Sequence, residues 1–167
     1  MIRTLLAAIL IAASAIASAT AQTPAAEPPA KDPVNAARHV KEGQDLYRQG
    51  QLGSALIAFE NAVKAGAEGG ELFYQMGFCY KIVREDPDKT REYMAKAVPF
   101  LEKVTADPAL ASVTPFYYLA AAYGNELADP ARGKQVAQRG VALVEKRPPG
   151  DVKDGVMLFQ IGRLYSL

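Results

Sequence analysis

The chain has 167 residues, of which 19 are Lys or Arg and 18 are Asp or Glu. Half of the residues are hydrophobic and 22% are charged, which is typical of one folded domain, or at most two small ones. The near-zero net charge argues against nucleic-acid binding, because that depends on clustered basic residues. One cysteine and one histidine exclude an intrachain disulfide, a multi-thiolate metal site and a His-rich metal site.

The first 21 residues have the features of a secretory signal peptide. Arg3 supplies a positive charge, residues 5–16 form an apolar, Ala-rich run, and Ala19-Thr20-Ala21 is an A-x-A cleavage site. We therefore expect cleavage after Ala21 and a location in the periplasm or outside the cell. The alternative is an uncleaved membrane anchor, although the run is short and weakly apolar for a membrane span.

Residues 22–34 are predicted to be a linker. This segment holds four prolines among Ala, Glu and Lys residues, a composition typical of an extended tether without a core of its own. If the anchor were retained, the linker would hold the following domain away from the membrane surface.

From residue 35 onwards, apolar residues recur at steps of three and four, the spacing of amphipathic helices. Pro99 falls inside the fourth helical run, where we expect it to kink or split the helix. Turn signals separate the runs at Gly50, Asp86-Pro87, Thr114-Pro115 and Asp129-Pro130. The pattern predicts seven helices, over residues 35–49, 52–65, 70–84, 88–106, 114–127, 130–146 and 152–166.

A motif recurs along these helices. In the first helix of each pair, a small residue stands three positions before Leu or Tyr, as in Gly43 with Leu46, Gly77 with Tyr80, Ala120 with Tyr123, and Gly162 with Tyr165. In the second helices, Ala55, Phe59 and Ala62 share their spacing with Ala97-Leu101-Val104 and with Ala137-Val141-Val144. Such recurrence is typical of repeat proteins, whose units stack to bury a continuous core.

These motifs resemble the tetratricopeptide repeat (TPR) family, whose signature is L-G-x2-Y in one helix and A-x3-F-x2-A in the next. The resemblance covers about residues 35–167 and implies an all-α superhelix, a TPR-like solenoid of about three and a half helical hairpins. The second and third copies are longer than the 34-residue repeat of the family, with extra residues expected near 84–92 and 126–132.

The resemblance further implies that the first helix of each pair lines a concave groove for a peptide or partner helix. Arg48, Lys81 and Arg163 would meet acidic groups at the groove edges. The alternative is that the aromatic residues belong to the core. The residues expected to face the groove are Val40, Gln44, Tyr47, Arg48, Tyr74, Phe78, Lys81, Tyr117, Asn125, Phe159 and Arg163.

No arrangement of residues predicts catalysis. We expect His39 to pack in the core and Cys79 to be a buried, inert thiol, and no nucleophile or phosphate-binding motif is present. The sequence therefore predicts a protein that is not an enzyme and has no cofactor or metal. The expected function is an interaction scaffold or adaptor of the bacterial cell envelope. The alternatives are a membrane-tethered assembly factor and a non-catalytic accessory subunit.

The helix predicted over residues 152–166 is strongly apolar, and no second helix follows it. Solenoids normally end in a polar capping face. We therefore expect a longer repeat array, docking on another subunit in a homo-oligomer, or a chain that folds back. The expected partner is another protein or peptide segment, without nucleic acid, and with a membrane only if the N-terminal segment stays uncleaved.

Overall fold

The computed structural model of the protein describes residues 31–107, 110 and 112–146. This part of the chain is all-α and contains no strand. The predicted seventh helix, the signal peptide and most of the linker lie outside the described residues. The helices are α1 (Pro33–Arg48), α2 (Leu52–Lys64), α3 (Gly70–Cys79), α4 (Pro87–Thr105), α5 (Thr114–Ala121) and α6 (Pro130–Glu145).

Consecutive helices pack as antiparallel hairpins, α1 with α2, α3 with α4, and α5 with α6. The backbone N–H of Asp32 donates to the carbonyl of Ala65 at 2.9 Å, which joins the start of α1 to the end of α2. In the third hairpin, the guanidinium of Arg139 lies over the Phe116 ring, so the late part of α6 meets the early part of α5. Neighbouring hairpins meet through α2 with α3 and through α4 with α5.

Three helices begin with the same Asp-Pro cap. The carboxylates of Asp86 and Asp129 accept backbone N–H groups of the first turns of α4 and α6, as predicted. Asp32 caps α1 in the same way, so α1 begins at Pro33, inside the predicted linker. The prediction of a side-chain cap at Thr114 is wrong, because Thr114 is already helical and its N–H donates to Ser112 Oγ.

Two helices end in an unpredicted way. α3 and α5 each continue into one π-helical turn, over Tyr80–Arg84 and Ala122–Glu126. Each turn is followed by a non-glycine residue with positive φ, Glu85 at 52° and Ala128 at 56°, and then by an Asp-Pro cap. In the first hairpin, Gly50 at φ 74° closes the turn instead.

The contacts of the small residues correct the predicted alignment of the second helices. Gly43 faces the ring of Phe59, and Gly77 faces Thr90 and Met94. A Cβ at Gly133 would lie 2.9 Å from the carbonyl oxygen of Ala120. The segments that correspond in space to Ala55-Phe59-Ala62 are therefore Thr90-Met94-Ala97 and Gly133-Ala137-Gly140, which share its spacing.

The misalignment has a physical cause in the length of α4. This helix runs on through Pro99 to Thr105 without being split, about two turns past Ala97. The extra length of the second repeat therefore lies after Ala97 and not near residues 84–92. The extra turns of α4 repeat the same spacing of small and apolar residues. The sequence therefore contained two equally spaced matches to Ala55-Phe59-Ala62 and gave no means of choosing between them.

The core lies between the hairpins, and α3 is its most buried helix. Residues 72–77 and Cys79 are all buried, as expected for a helix that is apolar on nearly every side. Phe59, Met76, Met94 and Leu119 are the large side chains that bring α2, α3, α4 and α5 together. Such close packing leaves little room for a change of side-chain volume.

Candidate functional site

The first helices of the three hairpins contact one another through their side chains. The rings of Tyr47 on α1 and Phe78 on α3 meet edge to face, with centroids 5.9 Å apart. Tyr74 on α3 and Tyr117 on α5 meet in the same way at 6.3 Å. These contacts place α1, α3 and α5 next to one another and define the surface that we call the α1–α3–α5 face.

The structure brings most of the predicted groove residues to this face, at different depths. Arg48, Lys81 and Asn125 are exposed, and Tyr74 is buried. Phe159 and Arg163 lie outside the described residues. The half-buried members are Val40, Gln44, Tyr47, Phe78 and Tyr117.

Tyr74 lies beneath the face and does not line it openly. Its side chain is 5% exposed, and its ring stacks on Tyr118 with centroids 4.2 Å apart. Burial, followed by the neighbouring Tyr117 hydroxyl, raises the pKa of Tyr74 well above its usual value. Tyr74 therefore supports the face from the core, which is the alternative that the sequence left open for the aromatic row.

Two basic residues expected to meet a partner's acidic groups already have carboxylates beside them. Lys81 Nζ lies 2.6 Å from Glu126 Oε1 in the π-helical turn after α5. Arg48 pairs with Asp45, one helical turn before it on α1. The Lys81–Glu126 pair joins two hairpins, whereas the Arg48–Asp45 pair lies within one helix.

An open cleft of about 380 Å³ lies where the two π-helical turns meet. Lys81 and Asn125 line it together with Glu85 and Glu126. π-helical turns often occur at functional sites, and here they place side chains from two hairpins in one cleft. Neither π-helical turn was predicted from the apolar spacing, because the one extra residue that such a turn contains does not disturb a short apolar pattern.

Sequence reasoning also missed a polar pair on α3. Gln75 is 4% exposed, and its Nε2 donates to Glu71 Oε1 at 3.0 Å. Gln75 Oε1 is buried and accepts no hydrogen bond from the residues described. The sequence did contain a signal for this pair, because Glu71 and Gln75 stand four positions apart, a spacing that places both side chains on one side of a helix.

A tyrosine–glutamate hydrogen bond ties each later hairpin to the one before it. Tyr80 donates to Glu60 Oε1 at 2.7 Å, and Tyr123 donates to Glu102 Oε1 at 2.5 Å. Burial and then the adjacent Glu60 carboxylate raise the pKa of Tyr80. Both tyrosines hold the last position of the L-G-x2-Y motif, so one motif position makes the same contact in successive hairpins.

The expectation for Cys79 is confirmed and that for His39 is not. Cys79 is fully buried, and burial raises its thiol pKa to about 12, so the reactive thiolate is scarce at neutral pH. His39 is half-buried and lies 3.3 Å from Glu42 Oε2 on its own helix. Within the described residues, no group of three or more His, Cys, Asp or Glu could hold a metal ion.

No protein-family model matches the chain, and no curated protein sequence matches it. Among the helices of the described residues, none has the length and apolar character needed to cross a membrane.

Proposed function

We propose that the protein is an interaction scaffold of the bacterial cell envelope, built as a TPR-like solenoid. The α1–α3–α5 face would bind an extended or helical segment of another protein. The observation that carries this proposal is the set of contacts between successive first helices, which makes one continuous surface from separate hairpins. A surface of this kind binds a chain along its length and needs no catalytic group.

The repeated internal contacts support the solenoid part of the proposal. A small residue on the first helix recurs opposite the second helix in each hairpin, at Gly43, Gly77 and Ala120. The tyrosine–glutamate bond recurs between hairpins. Units that repeat both their internal and their mutual contacts stack in one direction, which is the principle of a solenoid.

The proposed location has its own test. The intact mass of the protein purified from the envelope fraction should correspond to loss of residues 1–21, because the A-x-A site directs cleavage after Ala21. A mass that retains these residues would contradict cleavage and favour the membrane-tethered assembly factor. The measurement is independent of partner binding.

Partner binding is tested by blocking the face with bulky side chains. Arg48→Trp with Asn125→Trp places two large rings at exposed positions of the α1–α3–α5 face. Lys103→Trp with Lys134→Trp does the same at exposed positions of α4 and α6. The tagged full-length chain and both double variants are used to capture proteins from solubilised envelope, with melting temperatures as the check on folding.

We expect the wild type and the α4/α6 variant to capture the same protein, and the face variant to lose it while melting within a few degrees of the wild type. Equal capture by both variants would contradict the α1–α3–α5 face as the binding surface. Tyr74 is unsuitable for this test, because removing a buried ring destabilises the fold itself.

A further inference from the structure

The second and third hairpins are closely packed toward the end at which α4 finishes. The ring of Tyr74 on α3 stacks on Tyr118 on α5, with centroids 4.2 Å apart. Arg139 on α6 donates from Nη2 to the carbonyl oxygen of Thr105, the last residue of α4, at 2.7 Å. Tyr74, Tyr118 and Thr105 are all buried, so the two hairpins are firmly joined at what we call the packed end.

The same hairpins are open at the end at which α4 begins. The cleft of about 380 Å³ lies here, and residues of both hairpins line it. The second hairpin contributes Lys81, Pro87 and Arg91, and the third contributes Asn125 and Glu126. Because open space and not close packing separates the hairpins at this open end, few dispersion contacts oppose a change in their spacing.

An ion pair joins the two hairpins at the open end. Lys81 Nζ lies 2.6 Å from Glu126 Oε1. Each of the other ion pairs between two described residues joins positions three or four apart in the chain, within one helix or its cap. The Glu126 side chain is only 16% exposed, and a carboxylate at this depth that loses its cation is poorly compensated until water reaches it.

We propose that the Lys81–Glu126 ion pair is an electrostatic latch between the second and third hairpins. The intact pair holds the cleft at its present width. When the pair is broken, water hydrates Glu126 and the open ends of the hairpins move apart, while the packed end acts as the hinge. The latch needs no partner, but its consequence rests on the proposed function, because it sets the spacing of Lys81 and Asn125 on the α1–α3–α5 face.

Ionic strength is the condition that operates this latch. The Lys81 side chain is 49% exposed, so dissolved ions reach the pair and screen its attraction. The screening length falls from about 10 Å at 0.1 M salt to about 3 Å at 1 M salt, which is close to the separation of the charged groups. The cleft is therefore closed at low salt and opens at high salt.

The test measures distances between spin labels on the full-length chain by double electron–electron resonance. Arg84→Cys with Ala131→Cys places labels on the two hairpins at the open end, and Lys103→Cys with Ala142→Cys places them toward the packed end. All four positions are exposed. The native Cys79 thiol is fully buried and stays unlabelled.

Lys81→Gln and Glu126→Gln should each lengthen and broaden the open-end distance by several ångströms, and about 1 M NaCl should do the same to the chain with the native pair. The reversed pair, Lys81→Glu with Glu126→Lys, should restore the original distance. The packed-end distance should stay constant throughout. Arg91→Gln is the matched control, because it breaks the pair with Asp88 inside α4 at the same cleft and should change neither distance.

An open-end distance that is unchanged in Lys81→Gln and Glu126→Gln, or that the reversed pair does not restore, would overturn the latch. Equal lengthening in Arg91→Gln, or at the packed end, would overturn it as well, because the motion would then depend neither on this pair nor on this hinge. A native pair that is insensitive to about 1 M NaCl would overturn ionic strength as its control.

These distances separate the latch from the proposed function, because no partner is present in the measurement. Partner capture through the α1–α3–α5 face with unchanged distances would remove the latch and leave the scaffold. The expected distance changes without a captured partner would leave the latch and remove the scaffold.

Discussion

At the scale of single residues, backbone strain lies in the turns that connect one helix to the next. Ala128 has φ 56° directly before the Asp129-Pro130 cap of α6. The left-handed conformation costs a non-glycine residue about 1–2 kcal/mol, and glycine adopts it freely. Gly50 holds the equivalent place after α1 with φ 74° and has nothing within 4 Å of an added Cβ.

Ala128→Gly should therefore stabilise the protein by about 0.5–1 kcal/mol, since relief of strain exceeds the added entropy of the unfolded chain. Gly50→Ala, the matched reverse change, should destabilise it by about 1 kcal/mol. Urea unfolding of both variants measures these changes. A stabilising effect of Gly50→Ala would show that the turns are not strained as described.

Asp32 predicts how stability depends on pH. Hydrogen bonds from Asn35, the backbone N–H first, lower the pKa of its carboxyl group below its usual value. Because the folded-state pKa lies below the unfolded one, this stabilising contribution is complete above about pH 5 and is lost as the pH falls through the folded pKa. Glu92 acts in the same direction, because Lys89 and Lys96 lower its pKa.

Asp32→Asn should keep the cap, because asparagine is an equally good N-cap residue, but should remove this titration. The free energy of unfolding of the variant should therefore fall less than that of the wild type between about pH 5 and pH 2. Denaturant unfolding across this range measures the difference. Parallel curves for the two proteins would exclude Asp32 as a source of the acid sensitivity.

At the scale of the helices, the tyrosine–glutamate bonds join one hairpin to the next. Tyr80→Phe and Tyr123→Phe should each destabilise the protein by about 1.5 kcal/mol, the usual value for a hydrogen bond to a charged group. Tyr93→Phe is the control, since its ring stacks on Tyr80 while its hydroxyl makes no hydrogen bond with the described residues. Thermal unfolding should show little change for this control.

A double-mutant cycle separates the bond from other effects of the Tyr80 change. If the bond is the cause, Tyr80→Phe in a Glu60→Ala background, which leaves no acceptor for the hydroxyl, should cost clearly less than it does alone. Additive effects of the two changes would mean that the bond does not hold the hairpins together.

Helix positions were predictable from the sequence because helix caps and turns depend on residues that are close together in the chain. The aspartates of Asp86-Pro87 and Asp129-Pro130 bond backbone groups within the next three residues, and Gly50 adopts its turn conformation by itself. The burial of Tyr74 and the partial exposure of His39 depend on distant helices, which local spacing does not report. The long α4 also produced a false alignment, since its extra turns repeat the same apolar spacing.

At the scale of the whole molecule, two kinds of contact join the three hairpins. Tyrosine–glutamate bonds link each second helix to the next first helix, and aromatic contacts join α1, α3 and α5. The candidate site was thus predictable as a set of equivalent positions, and most of them lie on one face. Their depth and charge pairing were not predictable, because Glu126, which pairs with Lys81, lies 45 residues further along the chain.

The proposed function requires that the α1–α3–α5 face is the surface that binds the partner. The most direct measurement places a photo-reactive amino acid, one position at a time, at Arg48, Asn125, Lys103 and Lys134 in cells that produce the protein. Illumination should cross-link one common protein from Arg48 and Asn125 and not from Lys103 or Lys134. Cross-links to that protein from α4 or α6 alone would show that the partner binds a different surface.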